Sequence, residues 1–306
     1  YWPMAQRRML DILAAKGPAA FNEMMALRNE ALINAEKHPL THGVNWAPWI
    51  LLDVLIGLKP IEAFMECKDI PTRWKENKEL YDLLVAGVKR ALIFGGNRSS
   101  KTEYAARRIV WCLLNRPGCN IWLFHSVASM SIEFHQKRID ALMPDSWRNM
   151  GKSSTGYYSY SEQNGYANFK LTGPESQTLE FKTFGSNEDD IEGAVLGCPE
   201  RQPCIGSAVD ELATPILTDK LRARNTEREA INLMLFTPVK GHTPTVKMFL
   251  DDSTKIHEEA EPYIQVENKK TGAKDADIIP MVWRSADHKR ATVHFFTRCN
   301  KYGTPD

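Results

Sequence analysis

The sequence predicts an α/β protein: a mainly parallel sheet flanked by helices, with a helical region in front of it. Two observations carry that expectation. Between residues 90 and 127 a short apolar run, a polar glycine loop, a helical period and a second apolar run follow one another in fewer than forty residues. That is the pattern of a βαβ unit, whose crossover helix forces the two strands to run parallel. Further on, Cys204 to Val209 and Ile231 to Phe236 are two more apolar runs with a helical stretch between them.

The elements follow in chain order. Gln6 to Ala15 and Phe21 to Ala35 repeat apolar residues every three or four positions, and Asn45 to Leu58 opens another apolar stretch. Residues 1–89 therefore read as a mainly helical region, punctuated at Gly57-Leu-Lys-Pro60 and Asp69-Ile-Pro71. Arg90-Ala-Leu-Ile-Phe94 is the first strand. Thr102 to Asn115 reads as a helix, with Ala105, Ala106, Ile109, Val110, Leu113 and Leu114 on one face and Arg116-Pro-Gly118 as its stop. Asn120 to Val127 is the second strand. Tyr157 to Tyr160, Ala167 to Leu171 and Thr178 to Phe184, separated by Asn-Gly and Gly-Pro turns, read as antiparallel strands. Residues 90–260 thus form the expected core. Residues 261–306 form a C-terminal segment with a polar loop at Asn268 to Asp277 and a strand at Ala291 to Phe296.

Composition narrows the function. With 43% hydrophobic and 25% charged residues the 306-residue chain has the balance of a soluble globular protein. Its 39 Lys and Arg against 38 Asp and Glu argue against a protein that coats nucleic acid by bulk charge, and leave room for a local basic groove. The most apolar run, Trp46 to Leu58, is interrupted by Asp53 and is too short to span a bilayer. The start, Tyr1-Trp-Pro-Met-Ala-Gln-Arg-Arg8, lacks the pattern of a signal peptide. Six scattered cysteines without a C-x-x-C pair read as free thiols.

Gly95-Gly96-Asn97-Arg98-Ser99-Ser100-Lys101-Thr102 nearly fits the phosphate-loop pattern G-x-x-x-x-G-K-[ST]. It follows a strand and opens a helix, so backbone N–H groups and the positive helix end converge where a polyphosphate would sit. Lys101 is then a mobile charge for the β- and γ-phosphates of ATP, and Thr102 a hydroxyl for Mg²⁺. Ser100 stands where the pattern has glycine. Val209-Asp210-Glu211 supplies two acids: Asp210 for the metal and Glu211 to polarise the attacking water. Thr237, ahead of Pro238, ends a third strand and is a candidate sensor of the γ-phosphate, or else an ordinary turn residue. Asp251-Asp252 and Asp275/Asp277 read as solvated loop acids.

These residues resemble the ATPase domain of the large terminase subunit of tailed bacteriophages. Gly95-Gly-Asn-Arg-Ser-Ser-Lys-Thr-Glu103 is close to that family's form of the loop. Ile191-Glu-Gly193, Phe236-Thr-Pro238 and His294-Phe-Phe-Thr-Arg-Cys-Asn300 are similar to later segments, and together they cover roughly residues 90–300. The resemblance implies the additional-strand, catalytic-glutamate type of phosphate-loop ATPase. It implies ATP hydrolysis with Mg²⁺, double-stranded DNA as the translocated substrate, a homo-oligomeric ring on the portal protein, and a small terminase subunit as partner. It also implies the host cytoplasm, at the procapsid portal, as the place of action. An arginine near the γ-phosphate is usual in the family. Arg98 lies inside the loop; Arg201, Arg222, Arg224 and Arg228 are other candidates, and nothing in the sequence chooses among them. The chain ends at Asp306, so no nuclease activity is expected. Lys137-Arg138, Arg222/Arg224 and Lys269-Lys270 are candidate DNA contacts. Two other readings stay open: a helicase-like ATPase, and a nucleotide-binding scaffold whose loop Ser100 disables.

Overall fold

The computed structural model describes residues 47–68, 70, 72–95, 101–149, 156–184, 193–211, 213–237, 243–250, 253–255, 265–267, 274–276 and 279–296. Four helices come first: α1 (Ala47–Leu55), α2 (Ile61–Glu66), α3 (Thr72–Lys75) and α4 (Lys78–Ala86). Asn77 caps α4 by accepting the Leu80 N–H, and Gly87, at φ 65°, turns the chain out of it. Then come β1 (Arg90–Gly95), α5 (Lys101–Asn115) and β2 (Asn120–His125). The chain continues through α6 (Ala128–Met130), a π-helical turn Ser131–Gln136, and α7 (Lys137–Leu142).

Next are β3 (Tyr160–Ser161), β4 (Gly165–Tyr166), β5 (Lys170–Thr172), β6 (Thr178–Thr183), β7 (Ile205–Asp210), α8 (Pro215–Thr226) and β8 (Ile231–Phe236). The last described elements are α9 (Pro244–Leu250), β9 (Ser253–Lys255), β10 (Gln265–Glu267), β11 (Lys274–Ala276), β12 (Ile279–Ser285) and β13 (Arg290–Phe296).

Nine strands form one sheet in the order β5-β6-β2-β7-β8-β1-β13-β12-β9. Neighbours from β6 through β13 are parallel, and β5, β12 and β9 add antiparallel edges. Alternate residues of the central strands enter two separate cores, one on each face, as the two-residue period of a strand demands. Ala91, Ile93, Ile121, Leu123, Ala208, Leu233 and Leu235 meet the helices before β1 and α5. Leu92, Trp122, Phe124, Val209, Met234 and Phe236 meet Leu217 and Leu221 of α8 and Val246 and Phe249 of α9. All six residues of β8 are buried, so that strand is the centre of the sheet.

The acid that broke the apolar run of α1 has a specific use. Asp53 is fully buried, its carboxylate 2.6 Å from the Arg108 guanidinium and accepting the Tyr104 hydroxyl at 3.0 Å. Both partners lie on α5, so the N-terminal helices are fastened to the helix that follows the phosphate loop. Removing one partner of such a buried pair costs far more than the pair itself contributes.

Three sequence expectations need correction. Only Tyr160 of the Tyr157–Tyr160 run becomes strand, in the two-residue β3, and its ring with those of Tyr158, Tyr166 and Phe181 builds an aromatic cluster instead. β6 is antiparallel to β5 as read, yet runs parallel to β2 and extends the main sheet. The expected loop at Asn268 to Asp277 contains β11, paired with β10. The sheet also draws on both sides of residue 260, because β13 pairs with β1 in parallel. Residues 1–46, including Gln6, and the Asp251-Asp252 and Lys269-Lys270 pairs lie outside the described residues.

Candidate nucleotide and metal site

In a parallel sheet the carboxyl ends of the strands, where helices begin, form the edge at which ligands bind. Here that edge collects Gly95 of β1, His125 of β2, Asp210 of β7 and, just after β8, Thr237. β8 separates β1 from β7, so the strand ahead of the phosphate loop and the strand carrying the acid pair are not neighbours. This is the strand order expected of the additional-strand fold type, a mainly parallel sheet flanked by helices.

Gly96, Asn97, Arg98, Ser99 and Ser100 lie outside the described residues; Gly95 and the start of α5 frame them. The Lys101 ammonium folds back to donate to the Gly95 carbonyl at 2.8 Å and is only 7% exposed. Burial pulls its pKa down to about 8, against the opposing attraction of Asp210. Its neighbour Thr102 donates from Oγ1 to Asp210 Oδ2 at 2.9 Å. Two residues 108 positions apart are thereby brought into contact by the βαβ crossover and the parallel register.

Burial alone would raise the Asp210 carboxyl. The adjacent His135, the Thr102 hydroxyl and His125 outweigh it and hold Asp210 below the ordinary carboxylate range. Asp210 Oδ1 also accepts the Glu211 N–H at 3.1 Å. Glu211 sits at φ 72°, a left-handed conformation that a side chain disfavours, while its N–H reaches Leu235 O at 3.0 Å. The backbone thus turns sharply out of the sheet at this residue, leaving Glu211 exposed beside a half-buried aspartate. Non-glycine residues in such conformations concentrate at functional sites. Thr237 is half-buried where β8 ends.

Two histidines at this edge escaped the sequence reading. His135 Nε2 lies 2.8 Å from Asp210 Oδ2, and the His125 and His135 rings meet edge to face with centroids 5.4 Å apart. One ligating atom from each of His125, His135 and Asp210 falls within 4.8 Å of the other two. His135 is wholly buried and His125 is 3% exposed. Burial, with His135 beside it, lowers the His125 pKa and favours its neutral ring, against the pull of Asp210 and Glu211. His125 closing an apolar strand was the available signal. The π-helical turn that swings His135 onto Asp210 has none in the local sequence.

The basic candidates fall differently. Arg138 pairs with Glu103 at 2.7 Å, and Glu103 also holds Arg107 at 2.7 Å, so this part of the expected DNA patch is tied to α5. Arg222 pairs with Asp219 at 3.5 Å. Arg228 donates to the carbonyl of Gly197, a residue bridged to Asn120 at the amino end of β2; Arg201 lies in the turn leading to β7. Both belong to the edge of the sheet opposite Asp210.

No protein-family model and no curated protein matches the chain. Two solved structures are similar in fold, both of the large terminase ATPase domain of Thermus phage P74-26. A point mutant of that domain is 14% identical, covering 72% of this chain and 85% of that one at a TM-score of 0.41. The second structure is 16% identical, covering 56% and 73% at a TM-score of 0.37.

Proposed function

We propose that this chain is the ATP-hydrolysing motor domain of a viral large terminase, acting on double-stranded DNA. The observation that carries the chemistry is the Thr102–Asp210 hydrogen bond at the carboxyl edge, one strand away from the phosphate loop. A hydroxyl and an ionised carboxylate within 3 Å are a hard-oxygen donor set that suits Mg²⁺. When bound, Mg²⁺ neutralises charge on the β- and γ-phosphate oxygens.

The chain's own groups do the rest. Lys101 exchanges the Gly95 carbonyl for phosphate oxygens, a short swing of an already confined ammonium. By their sequence pattern, the residues between Gly95 and Lys101 are assigned to hold the polyphosphate ahead of α5. Glu211, presented by its left-handed backbone, accepts the proton of the water that attacks the γ-phosphorus. Thr237 sits at the end of the strand between the two halves of the site and passes the loss of phosphate into the chain beyond Pro238. Arg98 is assigned to stabilise charge on the transferred phosphoryl group. The loop sequence and the Phe236-Thr-Pro238 segment support the terminase class over other ATPases. Portal protein, small terminase subunit and a ring of identical chains are the partners this class would require.

Steady-state hydrolysis of MgATP with and without duplex DNA tests the proposal. It expects turnover that duplex DNA increases, with the increase falling between about 50 and 200 mM salt as phosphate contacts are screened. Turnover indifferent to duplex DNA at every salt concentration would remove the motor reading and leave the ATPase.

A further inference from the structure

We propose that His125, His135 and Asp210 form a site for a divalent first-row transition ion of the zinc type, which shares Asp210 Oδ2 with Thr102. The cluster joins three elements: the end of β2, the π-helical turn and the end of β7. Its ligand atoms lie within 4.8 Å of one another, and the His135–Asp210 pair has already closed to 2.8 Å. Around one such ion, ligand nitrogens and oxygens at about 2.0–2.2 Å stand roughly 3–3.5 Å apart. An ion would part the His135–Asp210 pair slightly and draw His125 in.

The alternative of a plain hydrogen-bonded histidine fits less well. His135 is wholly buried; its Nε2 meets Asp210 Oδ2 at 2.8 Å, while its Nδ1 has no hydrogen-bond partner among the described residues. His125 Nδ1 lies 3.2 Å from Ser126 Oγ, closer than the 3.4 Å contact from the Val127 N–H. Ligation through Nε2 would put the ring proton on Nδ1, where Ser126 Oγ would accept it and the Val127 N–H contact would be given up, the outer-partner arrangement usual for ligating histidines.

Two imidazoles and one carboxylate select zinc, or cobalt in its place, over magnesium, which prefers oxygen and retains its waters. π-Helical turns recur at functional sites, and this one is the device that brings His135 to β7. An ion held here would clamp the segment after β2 to the acid of β7 without any nucleotide.

The test uses the untagged, chelator-stripped 306-residue chain without nucleotide. Co²⁺ is titrated as the probe, with visible absorption for ligand type and equilibrium dialysis for stoichiometry. One equivalent is expected, with ligand-field bands, no sulfur-to-cobalt charge transfer, and two hyperfine-shifted imidazole N–H resonances in the proton NMR spectrum. His135→Gln and His125→Gln should each weaken binding at least about tenfold. The NMR count on the unsubstituted chain stands even where a buried-histidine variant fails to fold. No saturable binding, a thiolate charge-transfer band, fewer than two shifted imidazoles, or equal binding by both folded histidine variants would overturn the site. Since nucleotide is absent throughout, none of these results bears on ATP hydrolysis.

Discussion

The two ends of β7 are built for opposite purposes. At the amino end, Gly206 and Ser207 lie against α8 so closely that a Cβ on Gly206 would meet Asn225 Oδ1 at 2.1 Å and Ala230 Cβ at 2.7 Å. Asn225 donates to Ser207 Oγ and to the Leu221 carbonyl, both at 2.7 Å, so these buried polar groups hold strand to helix. Cys204, with Cys119 at the start of β2, adds fully buried free thiols, small and weakly polar enough to pack as core. Four residues along, the same strand carries Asp210 below its ordinary pKa and Glu211 in a left-handed turn. One end spends its polar groups on packing, while the other holds charge and backbone strain ready for a ligand. Substitutions should therefore separate into losses of stability at one end and losses of chemistry at the other.

The largest effect belongs to the carboxyl edge. Glu211→Gln should bind MgATP as tightly as the unsubstituted chain and lose hydrolysis by about 10²–10⁴-fold, read as single-turnover phosphate release. Equal hydrolysis would move the base elsewhere and blur the contrast between the ends. At the amino edge, Gly206→Ala should lower stability by about 1–3 kcal/mol through overpacking against Asn225, measured by urea unfolding. Below its melting point this variant should bind MgATP unchanged, and a large loss of affinity would show that the two ends are coupled.

The smallest effect is a slope. In the nucleotide-free chain Lys101 titrates at about 8, against 10.5 for an unburied lysine. Between those values the unfolded chain still holds a proton that the folded chain has released, so the Lys101 contribution makes stability rise with pH there. Below pH 8 its full cost is present. Lys101→Met should flatten that part of the stability profile, as read by denaturant midpoints from pH 7.5 to 10.5.

What the sequence revealed follows the same division. β1, the glycine loop and α5 were legible because they are contiguous, and the local order strand, loop, helix is itself the signal. The Asp210-Glu211 pair was legible by its place after an apolar run, although Gly206 and Ser207 diluted that run. Their reason, the close approach of α8, is a long-range contact that no local pattern displays. Asp53 looked like an interruption because its partners Tyr104 and Arg108 lie 51 and 55 positions away. The direction of β6 against β2 is set by a crossover across the sheet, so its antiparallel turn with β5 misled. His135 was invisible for a different reason: only a π-helical turn, a local departure from ordinary helix geometry, aims it at Asp210.

The measurement that tests the central claim most directly is calorimetric titration of MgATP into the chain and into Lys101→Ala. Saturable binding to the first, weakened about 10²-fold or more in the second at unchanged melting temperature, is the predicted result. Equal binding by both, or none by the unsubstituted chain, would contradict a nucleotide site at the carboxyl edge of this sheet.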